Sequence, residues 1–190
     1  MSQSAKAMNI TVEEYLQSEP FAPFRREFVD GRVFAMTGAT DAHNGICVNL
    51  CAMMHAKLKG TGCRVYINDM KVKIEELNCF YYPDLVVTCE RYDPHAVFKT
   101  SPVIIVEVLS PSTKRIDLRE KLIGYRKLNS LIEYVTVSQN TREIEIHRRI
   151  EGDQWESITV ISPEHLFLQS FPNKPLEIDL ESVYDNTEIE

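Results

Sequence analysis

The stretch Pro102-Val-Ile-Ile-Val-Glu-Val-Leu109 decides the fold. It is apolar at every position but one, on both faces of an extended chain, which marks a central strand covered on both sides. Downstream, Leu118, Leu122 and Tyr125 share one face of a helix predicted from about Lys114 to Leu128, and Ile132 to Val137 returns as a strand. Upstream, Tyr81-Tyr-Pro-Asp-Leu-Val-Val87 predicts one strand, with Pro83 tolerated at its start. Met70-Lys-Val-Lys-Ile74 alternates as a half-buried strand does, and Cys63 to Ile67 is a further candidate. From Asp41 to Lys59 the residues Ile46, Leu50, Met53, Met54 and Leu58 recur at helical spacing, with Gly60 placed to stop the helix. Thr11 and Glu14 have the spacing of a capping box for a short helix reaching about Ser18. Asp30-Gly31 supplies the positive φ angles of a tight turn, so Arg26 to Phe34 reads as a hairpin. Glu143 to His147 and Trp155 to Ile161 read as a second one. The order predicts an α/β fold: one mixed β-sheet flanked by helices, with N-terminal and C-terminal β-hairpins.

At 190 residues, 44% hydrophobic and 26% charged, the chain is expected to form a single domain over 1–190. No stretch approaches the roughly 18 apolar residues of a membrane helix, so no membrane partner is expected. Met1 to Asn9 carries no basic segment leading into an apolar run, and the expected location is cytoplasmic. Five cysteines with no Cys-x-x-Cys pair are expected as reduced, mostly buried thiols. The net charge of −7 is uneven: residues 151–190 hold ten acidic side chains against Lys174 alone, which leaves 1–150 slightly positive. Ser112 to Lys127 carries Lys114, Arg115, Arg119, Lys121, Arg126 and Lys127 against Asp117 and Glu120. Such a patch suits a polyanion, although from charge alone a solvated helix face is the commoner explanation.

Glu107 is the residue that interrupts the central strand. A carboxylate there loses hydration, which costs several kcal/mol unless a cation or strong donors compensate. A metal ion could supply the compensation, and so could a buried Arg or Lys. Asp84 opens another apolar strand, and if the two strands are neighbours both carboxylates point into one cleft. Their mutual repulsion then favours a divalent metal with oxygen ligands. His43, Cys47, Cys51 and His55 fall four apart on one helix, but four ligands spread over three turns cannot surround one zinc ion. Ser110 and Ser112 lack the Gly-x-Ser-x-Gly elbow of a serine hydrolase.

Tyr82-Pro83-Asp84 followed by Ile105-Val-Glu-Val-Leu-Ser-Pro-Ser-Thr113 resembles the Uma-type restriction-endonuclease family of the PD-(D/E)XK nuclease superfamily. The likeness extends to Glu27-Phe-Val-Asp-Gly31, His43, Asp117, Lys121 and Glu133-Tyr134, and covers roughly Thr11 to Ser138. It implies a restriction-endonuclease-like fold and a metal-dependent endonuclease that hydrolyses DNA phosphodiesters. By that resemblance Asp84 and Glu107 would ligate Mg²⁺, or Mn²⁺ in its place, with the backbone carbonyl of Val108 as a third ligand. The superfamily places a lysine two residues after the glutamate, where this chain has Leu109. The resemblance moves that role to Lys121, with Lys71 or Lys73 as alternative suppliers, and adds Glu27 as a further acidic residue at the site. DNA is the implied partner and a homodimer the expected assembly, with Arg115 and Arg119 on the DNA-facing side. Two rival readings are an inactive nuclease fold that binds nucleic acid and an oligomerisation module.

Overall fold

Thr11 and Glu14 close the capping box that their spacing predicts, the Thr11 side chain accepting from the Glu14 N–H at 3.2 Å. They start helix α1 (Val12–Ser18), which a 3-10 turn (Glu19–Phe21) follows. Thr11→Ala is expected to cost about 1 kcal/mol, read from the urea midpoint; an unchanged midpoint would show that α1 does not depend on its cap. The computed structural model describes residues 9–36, 38–110, 117–161, 164–171 and 175–189. The first hairpin pairs β1 (Arg26–Val29) with β2 (Arg32–Ala35) across Asp30 and Gly31, whose φ angles of 44° and 84° are both positive as the turn requires. Helix α2 (Asp41–Leu58) is capped by Thr40, and its end is followed by Gly60 at φ 82°.

Strands β3 (Arg64–Ile67), β4 (Lys71–Ile74), β5 (Cys79–Tyr81), β6 (Leu85–Thr88), β7 (Phe98–Lys99) and β8 (Pro102–Leu109) follow. Then come a π-helical turn (Asp117–Lys121), helix α3 (Leu122–Arg126) and strands β9 (Glu133–Ser138), β10 (Glu143–Glu151) and β11 (Gln154–Ile161). Strands β12 (His165–Leu168) and β13 (Leu176–Asp179) and helix α4 (Leu180–Val183) close the described chain. Among the described residues no helix is long and apolar enough to cross a membrane.

The fold is mixed α/β, but its strands form more than the single sheet expected from element order. One sheet runs β2-β1-β5-β4-β7, a second β11-β10-β9-β8-β6-β3, and β12-β13 form a small third. The division falls inside the segment read from sequence as one strand, Tyr81 to Val87. Strand β5 ends at Tyr81 in the first sheet and β6 begins at Leu85 in the second. Pro83 has no N–H for a ladder and biases the residue before it. The Tyr82 N–H leaves the ladder as well, donating to the Glu27 carboxylate at 3.2 Å.

Strand β8 is central as predicted, antiparallel to β6 and parallel to β9. One face packs Val106 and Val108 against Ile46, Leu50 and Met54 of α2; the other packs Ile105 against Tyr125, Leu128 and Tyr134. Each such side chain contributes about 1.5–3 kcal/mol on burial, so β8 is held from both sides.

Three local expectations are corrected. Strand β4 is nearly covered rather than half-buried: Lys71 is 7% exposed and its ammonium donates to the Tyr82 hydroxyl at 3.3 Å. The described part of the second long helix begins with a π-helical turn, and residues 111–116, including Lys114 and Arg115, lie outside the described residues. Cys63 and Cys89 are joined in a disulfide, while Cys47, Cys51 and Cys79 are free. The β3/β6 register pairs Arg64 with Thr88, so the next pair outward is Cys63 with Cys89. That neighbourhood depends on strand pairing, which cysteine spacing alone does not reveal.

Candidate active site

The β6/β8 register pairs Leu85 with Val106, and continued by one residue it sets Asp84 opposite Glu107. Side chains alternate along a strand. Leu85 and Val106 belong to the core on the α2 side, Val86 and Ile105 to the core on the α3 side. Glu107 projects to the α3 side with Ile105, and Asp84 stands opposite it just before β6 begins, at the sheet end where the chain crosses from one sheet to the other.

Glu107 is 3% exposed and its Oε1 accepts from the Lys121 ammonium at 3.1 Å and the Tyr125 hydroxyl at 3.0 Å. Lys121, itself 5% exposed, also contacts Glu27 Oε1 at 3.0 Å. Of the two ways to compensate Glu107, the described contacts supply the buried lysine. Glu27 enters from β1 and accepts the Tyr82 N–H, so the chain crossing is itself built around this carboxylate. The other lysines are engaged elsewhere: Lys71 on Tyr82 and Lys73 on Glu75. The described ion-pair partners of Lys121 are Glu27 and Glu107, and the Asp117 side chain lies outside the described residues.

Asp84 is oriented from two sides. Its Oδ2 accepts the Val108 N–H at 2.7 Å and lies 3.2 Å from His43 Nε2. His43 sits in the first turn of α2, where its own N–H is held by Thr40. The other ring nitrogen, Nδ1, lies 3.6 Å from Cys47 Sγ. Ligand atoms of His43, Cys47 and Asp84 lie within 4.8 Å of one another. Cys47 and Asp84 nevertheless address opposite nitrogens of one ring, a hydrogen-bonded chain rather than three donors converging on one ion.

Glu27 and Glu107 share the Lys121 ammonium, and Asp84 stands opposite Glu107 in the strand register, so among these described side chains three carboxylates face one ammonium's charge, a balance that a divalent cation would improve. An oxygen-only donor set suits a hard ion such as Mg²⁺ or Mn²⁺. Among the described residues no hydrogen bond engages Asp84 Oδ1, which leaves that oxygen available as a ligand. Burial and then the nearby Asp84 and Glu107 charges push the Cys47 thiol well above its usual range, so it stays protonated. Burial, reinforced by Glu107 and Glu27, likewise raises the Tyr125 phenol well above its ordinary value, which keeps it a hydrogen-bond donor to Glu107.

Sequence reasoning named Glu27, Asp84, Glu107 and Lys121; Lys121 pairs with both Glu27 and Glu107, and Asp84 stands opposite Glu107 in the strand register. It did not assign Tyr125 or His43 a place at the site. For Tyr125 a signal existed, since four residues separate it from Lys121 and put both on one helical face. For His43 the only signal was its place in the family-like pattern, because its neighbour Asp84 is 41 positions away in the sequence. Glu133, part of the family-like pattern, lies apart from this cluster: fully buried, it binds Arg148 at 2.9 Å and the N–H groups of Gln169 and Ser170.

A family model described as "Uma2: Putative restriction endonuclease" matches residues 12–180. Two proteins of Synechocystis sp. are similar along most of their length. "Uncharacterized protein slr1290" is 32% identical over 170 residues, 89% of this chain and 90% of that one. "Uncharacterized protein sll1609" is 30% identical over 149 residues, 77% and 84% of the two chains. A crystal structure titled as a putative nuclease belonging to DUF820, from Anabaena variabilis, superposes with a TM-score of 0.73 at 16% identity, covering 92% of this chain and 97% of that one. At that identity the likeness is one of fold.

Proposed function

Because the chain belongs to the Uma2 family of restriction-endonuclease-like proteins, we propose that it is a Mg²⁺-dependent DNA endonuclease of PD-(D/E)XK type, with Asp84, Glu107, Lys121 and Glu27 at its centre. The observation that carries this reading is the Lys121 ammonium held 3.0 and 3.1 Å from Glu27 and Glu107. It offers a cation at the strand end despite Leu109 at the position where the superfamily carries its lysine.

Asp84, Glu107 and the Val108 carbonyl would hold the metal, which when bound supplies Lewis acidity toward the phosphodiester. Lys121 orients the attacking water and donates to a non-bridging phosphate oxygen as negative charge grows there. Tyr125 keeps the Glu107 carboxylate in place, and the Val108 N–H and His43 fix that of Asp84. The water oxygen bonds to phosphorus and gives up a proton to solvent, one phosphorus–oxygen ester bond breaks, and the leaving oxygen takes a proton from solvent. The finer reading is of a single domain over 1–190, working in the cytoplasm as a homodimer. One site cuts one strand, and two-fold pairs match a duplex.

The test is cleavage of supercoiled plasmid by the purified chain with Mg²⁺ or Mn²⁺. Nicked or linear product is expected with either ion, and none after EDTA. Cleavage that survives EDTA would overturn the metal-dependent reading. Binding of DNA without cleavage under every ion tried would select the inactive nucleic-acid-binding module instead.

A further inference from the structure

Beyond the carboxylate cluster, one face of the β10–β11 hairpin gathers a second set of polar groups. His147 and Arg149 project from one face of β10, and their partners across the ladder are Ser157 and Trp155. Arg126, at the end of α3, packs on the same group: its guanidinium carbon lies 5.2 Å from the Trp155 ring centre and that of Arg149 lies 4.6 Å from it.

The two arginines are in opposite situations. Arg149 is saturated, donating to the carbonyls of Leu131, Gly152, Arg126 and Leu128 and meeting Asp153 at 3.3 Å. It serves as a clamp on the end of α3. Arg126 has no carboxylate partner among the described residues, and its Nε–H is buried with no acceptor. His147 Nε2 is also buried without a hydrogen bond; its nearest acid is Glu145 at 3.7 Å. A buried donor left unsatisfied costs about 1–3 kcal/mol, more for a charged group. Placing a second guanidinium beside it adds repulsion, and both burial and Arg149 lower the Arg126 pKa. An oxyanion at the terminal nitrogens of Arg126 would offset the repulsion between the two guanidinium groups.

We propose that Arg126, supported by Arg149 and Trp155, binds a backbone phosphate of the nucleic-acid strand, away from the one being cut. This rests on the nuclease reading for the identity of the strand. Arg126 lies on the same segment after β8 as Lys121, at the far end of α3. The planar guanidinium suits a phosphate fork, and the indole keeps it flat and oriented.

The chain has one tryptophan, so Trp155 fluorescence reports on this site alone. The experiment titrates a short DNA duplex, and separately inorganic phosphate, into the full chain with Ca²⁺ in place of Mg²⁺ to slow cleavage. A saturable change in Trp155 emission with duplex is expected. Arg126→Gln should abolish it and weaken binding about tenfold, the loss of one charge-assisted contact. It should also reduce the salt slope of log Kd by about one. Arg126→Lys, which keeps the charge without the planar fork, should bind at intermediate strength and serves if Arg126→Gln does not fold. Asp84→Asn should lose cleavage but keep the fluorescence change, so a failed nuclease reading and a failed phosphate site look different. Wild-type affinity and emission response in Arg126→Gln, or a response to phosphate alone and none to duplex, would overturn the proposal.

Discussion

Asp84→Asn is expected to lower Mg²⁺-dependent DNA cleavage about a thousandfold, equivalent to roughly 4 kcal/mol of transition-state stabilisation. Asparagine keeps the shape of the side chain, and its carbonyl oxygen can still accept the Val108 N–H that Asp84 now accepts at 2.7 Å. What is lost is the negative charge that stands opposite Glu107 in the strand register, beside the Glu27–Lys121–Glu107 ion pairs. With one charge fewer, a divalent ion gains much less from entering the cluster. The measurement is the plasmid nicking rate across a Mg²⁺ titration, with a melting curve to show that the variant is folded. Activity within tenfold of the parent chain at saturating Mg²⁺ would remove Asp84 from the metal site. The same assay separates charge from position, since Glu107→Gln should fall as far while leaving Asp84 in place.

The second large effect is on stability. Glu133 is fully buried in β9, and its two oxygens collect Arg148 Nε at 2.9 Å, the N–H groups of Gln169 and Ser170 at 2.9 and 3.0 Å, and the Ser170 hydroxyl at 2.5 Å. Arg148 in turn donates to the Phe167 carbonyl at 2.8 Å, tying β10 to β12. Removing one partner of a buried charged pair leaves the other uncompensated, a penalty of about 3–5 kcal/mol. Glu133→Ala should therefore lower unfolding free energy by about that amount, read by urea denaturation of the metal-free chain. A loss below about 1 kcal/mol would place Glu133 among ordinary exposed ion pairs. Because Glu133 belongs to the family-like pattern yet sits away from the carboxylate cluster, this variant also separates stability from catalysis. If enough folded protein remains, its metal affinity should be unchanged.

Much of the local structure was legible in the sequence because short-range chemistry determines it. Thr11 and Glu14 are three residues apart, and their hydrogen bonds need nothing beyond that turn. Asp30 and Gly31 adopt positive φ because the hairpin demands it there. The central place of β8 followed from a run apolar on both faces, and Glu107 stood out against that run. Glu27, Asp84, Glu107 and Lys121 were named before any geometry was known: Glu107 and Asp84 from their places in apolar strands, Lys121 and Glu27 from the resemblance to a family pattern.

The tertiary structure decided what depends on partners distant in the chain. Tyr81 to Val87 looks continuous in one dimension, yet it splits between two sheets because the Tyr82 N–H finds Glu27, 55 residues earlier. The Cys63–Cys89 bridge follows from a strand register that cysteine spacing does not contain. His43 reaches Asp84, and the saturated Arg149 lies beside the unsatisfied Arg126, through packing of a helix against a sheet end and against a hairpin. Periodicity tells each residue which face it occupies, since that depends on its neighbours in the chain. Which side chains meet across two faces is set by the joint burial of whole elements, and no single segment carries that information.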